Sequence, residues 1–184
     1  MRVMTFSQTT PERWRDFTIR QAVNDDCAAV RELVFGVLRE HGLEPDGNTT
    51  DADLYDIEAG YRDGWFVVAE GEDGAIIGSA GIYRLDEQTC ELRKMYLAPA
   101  ARGCGLGKHL LELSLKAARE LGFRRVTLET ASALQDAIRL YTRYGFRPFT
   151  PEHLAARADC AYFLGLEEEF NTETQRHGGA EKNT

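Results

Sequence analysis

The chain has 184 residues, of which 43% are hydrophobic and 10% aromatic, and its 30 acidic and 22 basic side chains leave a net charge of −8. This length and composition predict one domain with a substantial core. A negative long-range field repels nucleic-acid phosphates and anionic lipid surfaces, so we expect neither nucleic acid nor a membrane as a partner.

The cysteine spacing and the first residues narrow the class of protein further. Cys27, Cys90, Cys104 and Cys160 lie far apart without a C-x-x-C pair, which predicts reduced thiols and no metal site. The stretch "MRVMTFSQTTPERWRDF" lacks the apolar run of a secretory signal, and no stretch is apolar over the length that a membrane span needs. We therefore expect a cytoplasmic protein.

The first third of the chain predicts one strand and two helices. "FTIRQAV" (17–23) alternates and contains β-branched residues, as strands do. Asn24 or Asp25 then begins an amphipathic helix that ends at Gly42. After a turn-rich stretch, the segment 51–61 predicts a short helix with an acidic first turn.

The middle of the chain predicts a sheet. "WFVVAE", "AIIGSAGIYRL" and "CELRKMYLAP" are three strand-like segments between residues 65 and 99. Because the connections between them are short, we expect these strands to be antiparallel neighbours.

The segment 101–122, "ARGCGLGKHLLELSLKAARELG", places a glycine-rich loop directly before an amphipathic helix. The predicted apolar face of this helix consists of Leu106, Leu110, Leu113, Ala117 and Leu121. "RRVTLET" (124–130) follows as a strand, so that the helix makes a βαβ crossover.

The last part of the domain predicts a helix over 133–144 and two final strands, "FRPFT" and "ADCAYFLGL". Within that helix, the predicted buried stripe consists of Leu134, Ala137, Ile138 and Tyr141. We expect an N-terminal extension over 1–16, one domain over 17–166, and a polar, disordered tail over 167–184.

A glycine-rich loop before a helix is typical of three kinds of phosphate site. A dinucleotide-binding loop needs a third glycine where this chain has Lys108, and a P-loop needs a hydroxyl where it has His109. The remaining possibility is a pyrophosphate held by backbone N–H groups at the positive end of the helix. An ordinary glycine-rich turn before a basic helix start is the alternative.

Two linked motifs carry a family resemblance. The pattern R/Q-x-x-G-x-G/A is matched by Arg102, Gly105 and Gly107. The pattern A-x-x-L-Y-x-x-x-G-F is matched by Ala137, Leu140, Tyr141, Gly145 and Phe146. The chain therefore resembles the GNAT superfamily of acyl-CoA-dependent N-acetyltransferases over roughly residues 17–166.

This resemblance implies an α/β fold of the α+β type: a strongly twisted, mixed, mostly antiparallel sheet of six to seven strands with about four helices. The fourth and fifth predicted strands, 90–99 and 124–130, would be parallel and splayed around acetyl-CoA, with no metal required. The implied cofactor-binding residues are Met95, Tyr96, Leu97, Arg102, Gly103, Cys104, Gly105, Leu106, Gly107, Lys108 and Tyr141.

The implied reaction is transfer of an acetyl group from acetyl-CoA to a primary amine, with a small molecule as the first choice of acceptor. A protein N-terminus or lysine is the alternative acceptor, and a non-catalytic acyl-CoA-binding module is the alternative from another class. Dimers are common in this family, so a homodimer is an expectation of the same kind.

The resemblance also implies catalytic roles. Tyr141 matches the tyrosine that meets the CoA sulfur, and the other use of such a residue is core packing. Glu91 is the first candidate for the base and Glu129 the second; a salt-bridged strand carboxylate is the alternative for Glu91. Leu134 stands where many members carry asparagine, so no side-chain contact to pantetheine is expected there.

An acidic and aromatic segment precedes the sheet and corresponds to the acceptor side of the family. Its acids either attract a cationic amine or cap helices and face solvent: Asp46, Asp51, Asp53, Asp56 and Glu58. Its aromatic residues either line the acceptor pocket or pack in the core: Tyr55, Tyr61 and Trp65.

Overall fold

A computed structural model describes residues 10–166 as one eight-stranded sheet with helices on both faces. The strands are β1 (Glu12–Trp14), β2 (Phe17–Gln21), β3 (Trp65–Glu70), β4 (Ile76–Arg84), β5 (Thr89–Leu97), β6 (Arg125–Thr130), β7 (Arg147–Pro148) and β8 (Cys160–Gly165). The helices are α1 (Cys27–Glu40), α2 (Ile57–Gly60), α3 (Leu106–Glu120) and α4 (Gln135–Arg143).

The sheet has the order β1-β2-β3-β4-β5-β6-β8-β7, and only β5 and β6 are parallel neighbours. Their pairing runs from Thr89 opposite Arg125 to Glu91 opposite Thr127 and then stops. Because β5 continues to Leu97 without β6 beside it, the two strands diverge. The predicted mixed, mostly antiparallel sheet with splayed central strands is confirmed.

One strand more than predicted comes from the segment assigned to an N-terminal extension. Glu12–Trp14 forms β1 and pairs antiparallel with β2 through a tight turn in which Arg15 has φ of 54°. Alternation over three residues is too short to indicate a strand, and the pairing depends on β2 being in place. The predicted tail over 167–184 lies outside the described residues.

The first helix begins later than expected. Asn24–Asp26 forms a 3₁₀ turn, and α1 starts at Cys27 without a side-chain hydrogen bond at its N-cap. The Asp26 carboxylate instead accepts from the backbone N–H of Val23 and from the guanidinium of Arg20. The carboxylate of Asp26 could have capped the helix, but it is instead paired with Arg20 of β2.

Two clusters of apolar side chains form the core, one on each face of the sheet. On one face α1 and the following turns contribute Val30, Val34, Leu38, Leu54 and Ile57. On the other face α3 contributes Leu106, Leu110, Leu111, Leu115 and Ala118. Each fully buried leucine or valine of these clusters is worth roughly 1.5–3 kcal/mol of transfer free energy.

The buried face of α3 is rotated from the predicted one. Leu113 and Leu121 are only partly buried, whereas Leu111 and Leu115 are inside. Both sets satisfy helical spacing, since apolar residues cover more than one stripe of this helix. The position of β4 and β5 beneath α3 decides which stripe is buried.

The predicted stripe of α4 is only partly right. Tyr141 is buried, but Leu134, Ala137 and Ile138 are half-exposed. Leu134 and Ala137 line a large cleft, so their apolar surface is partly open there. Helical periodicity identifies an apolar face but does not distinguish a core from a cleft wall.

Within residues 10–166, none of the helices combines the length and apolar character needed to cross a membrane. All four cysteines are free thiols; Cys27 and Cys90 are buried, and Cys104 and Cys160 are half-buried.

Candidate active site

A cleft of about 990 Å³ lies where β5 and β6 diverge. Its walls are the C-terminal half of β5, the loop before α3, the inner side of α4 and the segments 49–50 and 153–158. The divergence of two parallel strands creates this opening, because within residues 10–166 no strand pairs with the edge of β5 that β6 leaves.

The glycine loop has the backbone shape of an anion site. Gly103 and Gly105 have φ of 76° and 93°, a region that side chains disfavour, and Gly105 is the N-cap of α3. A Cβ on Gly107 would lie 3.2 Å from Leu97 Cδ1, so only glycine fits without movement. His109 N donates to Gly105 O at 3.1 Å, and the N–H groups before it have no helical acceptor. This end of the helix therefore fits a pyrophosphate.

The hairpin formed by β1 and β2 supports this loop from outside. Arg15 Nη1 donates to the carbonyl of Cys104 at 2.6 Å. The ring of Trp14 stacks on that of His109 in the first turn of α3, and His109 Nε2 lies 3.1 Å from Glu12 Oε1. Sequence reasoning missed these contacts; the only local signal was a tryptophan and two arginines in a segment without apolar periodicity.

Arg102 has a partner within the protein. Its Nε donates to Leu97 O at 3.1 Å, and its two Nη atoms lie 2.7 Å from the two oxygens of Glu40. The pKa of Glu40 is held below its usual range, chiefly by the hydrogen bond from Arg102. Arg102 thus ties the loop to the end of α1, whereas Lys108 and Arg143 line the cleft with exposed side chains. Arg143 was not identified from the sequence.

Met95, Tyr96 and Leu97 line the cleft beyond the point where β6 leaves β5. On the other edge of β5, Tyr96 pairs with Ser79 and Leu97 with Gly78. An extended chain could add to the free edge in the way that a peptide adds to a sheet.

Tyr141 on α4 lines the same cleft and is buried, with its ring 5.7 Å from that of Phe146. Burial raises the pKa of its phenol well above 10, and the neighbouring Tyr96 adds to that rise. The hydroxyl therefore keeps its proton at neutral pH and can donate it or a hydrogen bond into the cleft. Leu134, the N-cap of α4, forms no side-chain cap and lines the cleft as an apolar residue.

Glu91 and Glu129 face the cleft from the two diverging strands. Burial raises the pKa of Glu91 above its usual 4.5; Arg93, with Nε 2.6 Å from Glu91 Oε2, opposes the rise, and Glu129 contributes to it. Glu129 Oε2 accepts from the backbone N–H of Ala155 at 2.8 Å. Both candidate bases therefore line one cavity. Each also has a contact that holds its side chain in place, Glu91 with Arg93 and Glu129 with the backbone of Ala155.

The acidic segment has mixed roles. Asp56 caps α2 by accepting from Ala59 N at 3.0 Å, and Asp46 accepts turn amides from Asn48 and Thr49. Asp51, however, is buried beside Lys94, and Asp53 is half-buried with its Oδ1 3.2 Å from Lys94 Nζ.

The aromatic residues of this segment do not belong to the cleft lining. Tyr61 and Trp65 are buried in the core, and Tyr55 is exposed on the surface beneath Arg31. Core packing therefore accounts for two of the three, and none of them lines the pocket.

The comparison with family models supplies the observation that decides the family. The model of the acetyltransferase (GNAT) family matches residues 29–146. The chain belongs to the GNAT family. A relative from Escherichia coli K12, "uncharacterized N-acetyltransferase YjgM", is 35% identical over 157 residues, which cover 81% of this chain and 90% of the relative.

Solved GNAT structures share the fold. An acetyltransferase from Staphylococcus aureus Mu50 superposes with a TM-score of 0.76 at 23% identity, covering 82% of this chain and 99% of its own. The putative acetyltransferase yncA from Salmonella typhimurium, solved with acetyl-CoA, has a TM-score of 0.67 at 24% identity, covering 87% and 99%. The predicted family, fold class and enzyme class, an N-acetyltransferase, are confirmed.

Proposed function

We propose that this GNAT protein transfers an acetyl group from acetyl-CoA to the primary amine of a small molecule. The observation that carries the proposal is that one cleft joins the glycine loop, the free edge of β5, Tyr141 and both candidate bases. A site for the cofactor and the groups for the chemistry thus share one space.

The cofactor end of the proposed site is built mainly from backbone. The N–H groups of the loop from Gly103 to Lys108 hold the pyrophosphate, and the released edge of Met95–Leu97 pairs with the pantetheine arm. Lys108 supplies a full charge at this end, and Arg143 on α4 adds another. Arg102 is already paired with Glu40, so it adds no free positive charge for the pyrophosphate. Its contribution is to hold the loop in position.

Bound acetyl-CoA supplies the acetyl thioester. An alkylamine with a pKa near 10.4 costs ~4–5 kcal/mol to deprotonate at pH 7, so the site needs a base. Glu91 takes the amine proton, directly or through a water, since its raised pKa makes it a better base near neutral pH than an ordinary carboxylate. Glu129 is the second candidate for this role.

Tyr141 serves the other side of the reaction. Its phenol holds a proton at Oη that it donates, fully or as a hydrogen bond, toward the departing thiolate sulfur. An ordinary phenol with a pKa near 10 already keeps its proton at neutral pH. Burial raises the pKa of Tyr141 further, so it favours hydrogen-bond donation over complete proton transfer to the thiolate.

The acceptor end favours a small amine over a protein segment. The acceptor end is the part of the cleft lined by 49–50 and 153–158. These residues belong to two longer segments, 46–53 and 150–159, which we call the two walls and which are joined by a two-pronged ion pair between Asp51 and Arg157. A bounded end of this kind suits a short amine better than an extended peptide. A protein N-terminus or lysine stays the alternative acceptor.

The test is CoA release from acetyl-CoA with a panel of small amines, amino acids, polyamines and peptides. We expect turnover with a small amine and its loss in Gly105→Glu, which places bulk and negative charge in the loop. Turnover with peptides alone would move the assignment to a protein acceptor. Binding of acetyl-CoA without any amine-dependent release would support a non-catalytic binding module instead.

A further inference from the structure

Three charged side chains that are far apart in sequence meet in the interior beside the acceptor end. The carboxylate of Asp51 is fully buried, and Lys94 Nζ lies 2.6 Å from its Oδ1. Arg157 bonds both oxygens of the same carboxylate, Nη2 to Oδ1 at 2.6 Å and Nη1 to Oδ2 at 2.7 Å. We call these three residues the ion network.

The ion network carries one negative and two positive charges, and the carboxylate of Asp53 lies beside it as a second negative charge. Lys94 Nζ also donates to the carbonyl of Thr50 at 2.6 Å and lies 3.2 Å from Asp53 Oδ1. Burial opposes ionisation of Asp51, but the hydrogen bonds from Arg157 and Lys94 outweigh it and hold its pKa below the usual range. Since charges are retained inside a protein only when they are paired, removal of one member leaves the others unfavourably buried.

Lys94 reaches the network because β5 has a bulge at this point. The register with β4 shifts so that Ser79 faces Tyr96 and Gly81 faces Arg93, with Lys94 inside the shifted stretch. Lys94 has φ of 53°, which is uncommon for a residue with a side chain, and Ser79 Oγ donates to its carbonyl at 2.7 Å. The bulge at Lys94 lies along β5 between the candidate base Glu91 and Met95–Leu97, where β6 no longer pairs with β5.

The other two members hold the walls of the acceptor end. Asp51 belongs to 46–53, whose Thr49 and Thr50 line the cleft, and Arg157 belongs to 150–159, which contributes the lining residues within 153–158. Both segments lack regular secondary structure over most of their length, so side-chain contacts must fix their positions. Arg157 attaches the segment 150–159 to the carboxylate of Asp51. Lys94 attaches the same carboxylate, and with it the segment 46–53, to β5.

We infer that the Asp51–Lys94–Arg157 ion network is a positioning device that fixes both walls of the acceptor end relative to Glu91 and Glu129. The inference rests on the proposed function, since it assigns the walls to the amine. Asp51, Lys94 and Arg157 are therefore positioning residues. The proton transfers are carried out by Glu91 or Glu129 and by Tyr141.

The first experiment separates the two substrates kinetically. Arg157→Gln is expected to lower kcat/KM for the amine at least ~10-fold, because small misplacements of a substrate are costly. Its Kd for acetyl-CoA, measured by calorimetry, is expected to change much less than kcat/KM for the amine, because the two-pronged contact of Arg157 is to Asp51 and not to the glycine loop. Arg157→Lys keeps the charge without the two-pronged contact and should recover part of the activity.

A control is available in a second two-pronged ion pair, which is partly buried. Arg20 bonds both oxygens of Asp26 at 2.7 and 2.8 Å, and neither residue lines the cleft. Asp26→Asn should lower the melting temperature, as Arg157→Gln does, but leave kcat/KM for the amine unchanged. Equal losses of amine turnover in both variants would reduce the network to a stabilising element and overturn the inference.

The second experiment does not depend on any acceptor. In hydrogen exchange followed by mass spectrometry, Arg157→Gln is expected to accelerate exchange in both 46–53 and 150–159, and Asp26→Asn in neither. Acceleration of 150–159 alone would contradict the inference, because the network would not couple the walls. If the wild-type protein acetylates no amine, the proposed function fails while this comparison still decides whether the walls are coupled.

Discussion

The indole ring of Trp14 lies parallel to the imidazole of His109, with centroids 4.8 Å apart and 12° between the planes. Trp14 belongs to β1, and His109 belongs to the first turn of α3, directly behind the glycine loop. The hairpin at the start of the described chain therefore supports the helix end to which we assign the pyrophosphate.

Trp14→Ala is expected to weaken acetyl-CoA binding. Aromatic contacts of this kind are worth about 0.5–1.5 kcal/mol beyond buried area, so loss of the ring should raise Kd by up to roughly tenfold. Titration calorimetry measures this, with Arg13→Ala as the control because Arg13 is exposed and, among residues 10–166, forms an ion pair only with Glu72. An unchanged Kd for Trp14→Ala would mean that the hairpin does not support the loop.

Gly105→Ala tests the backbone of the loop without filling it. The new Cβ would lie 3.7 Å from Trp14, an ordinary contact, but φ of 93° costs a residue with a side chain about 1–2 kcal/mol. Both the melting temperature and the affinity for acetyl-CoA should fall.

Gly36→Ala is the matched control for the loop variant. Gly36 lies within α1 with nothing within 4 Å of the added Cβ, so alanine should stabilise the protein by about 0.5–1 kcal/mol. If Gly105→Ala behaves like Gly36→Ala, the loop conformation assigned here is wrong.

Tyr141→Phe removes the proposed proton donor and retains the ring. We expect kcat to fall ~10²–10⁴-fold, the usual contribution of a positioned acid, with little change in Kd for acetyl-CoA. Tyr55→Phe makes the same chemical change at an exposed position away from the cleft and should leave kcat unaltered. Full activity in Tyr141→Phe would leave core packing as the role of this tyrosine.

The pH dependence distinguishes the two candidate bases. Only ionised Glu91 can accept a proton, and burial raises its pKa above 4.5, so kcat/KM for the amine should decline as pH falls through that raised value. Glu91→Gln should lower the rate at neutral pH and remove this decline, whereas Glu129→Gln should keep it. The reverse pattern in the two pH profiles would assign the base to Glu129.

Local patterns made much of the fold predictable. The continuous apolar run of Trp65–Glu70 and the glycines before α3 are local signals, which can be recognised without knowing which segments fold against each other. The two GNAT motifs added the splayed strands, since their spacing is typical of that family. Met95–Leu97, Tyr141, Glu91 and Glu129 could thus be named as site candidates, and all of them line one cleft.

The sequence by itself determined the element types, the glycine loop and the family resemblance, because these depend on residues close together in the chain. Only the tertiary structure decided that β1 supports the loop, that Glu40 neutralises Arg102, and that α4 forms a cleft wall. It also brought Asp51, Lys94 and Arg157 together from separations of 43 and 106 residues measured from Asp51. The pairing of buried charges depends on which segments fold against each other, and no local spacing encodes that.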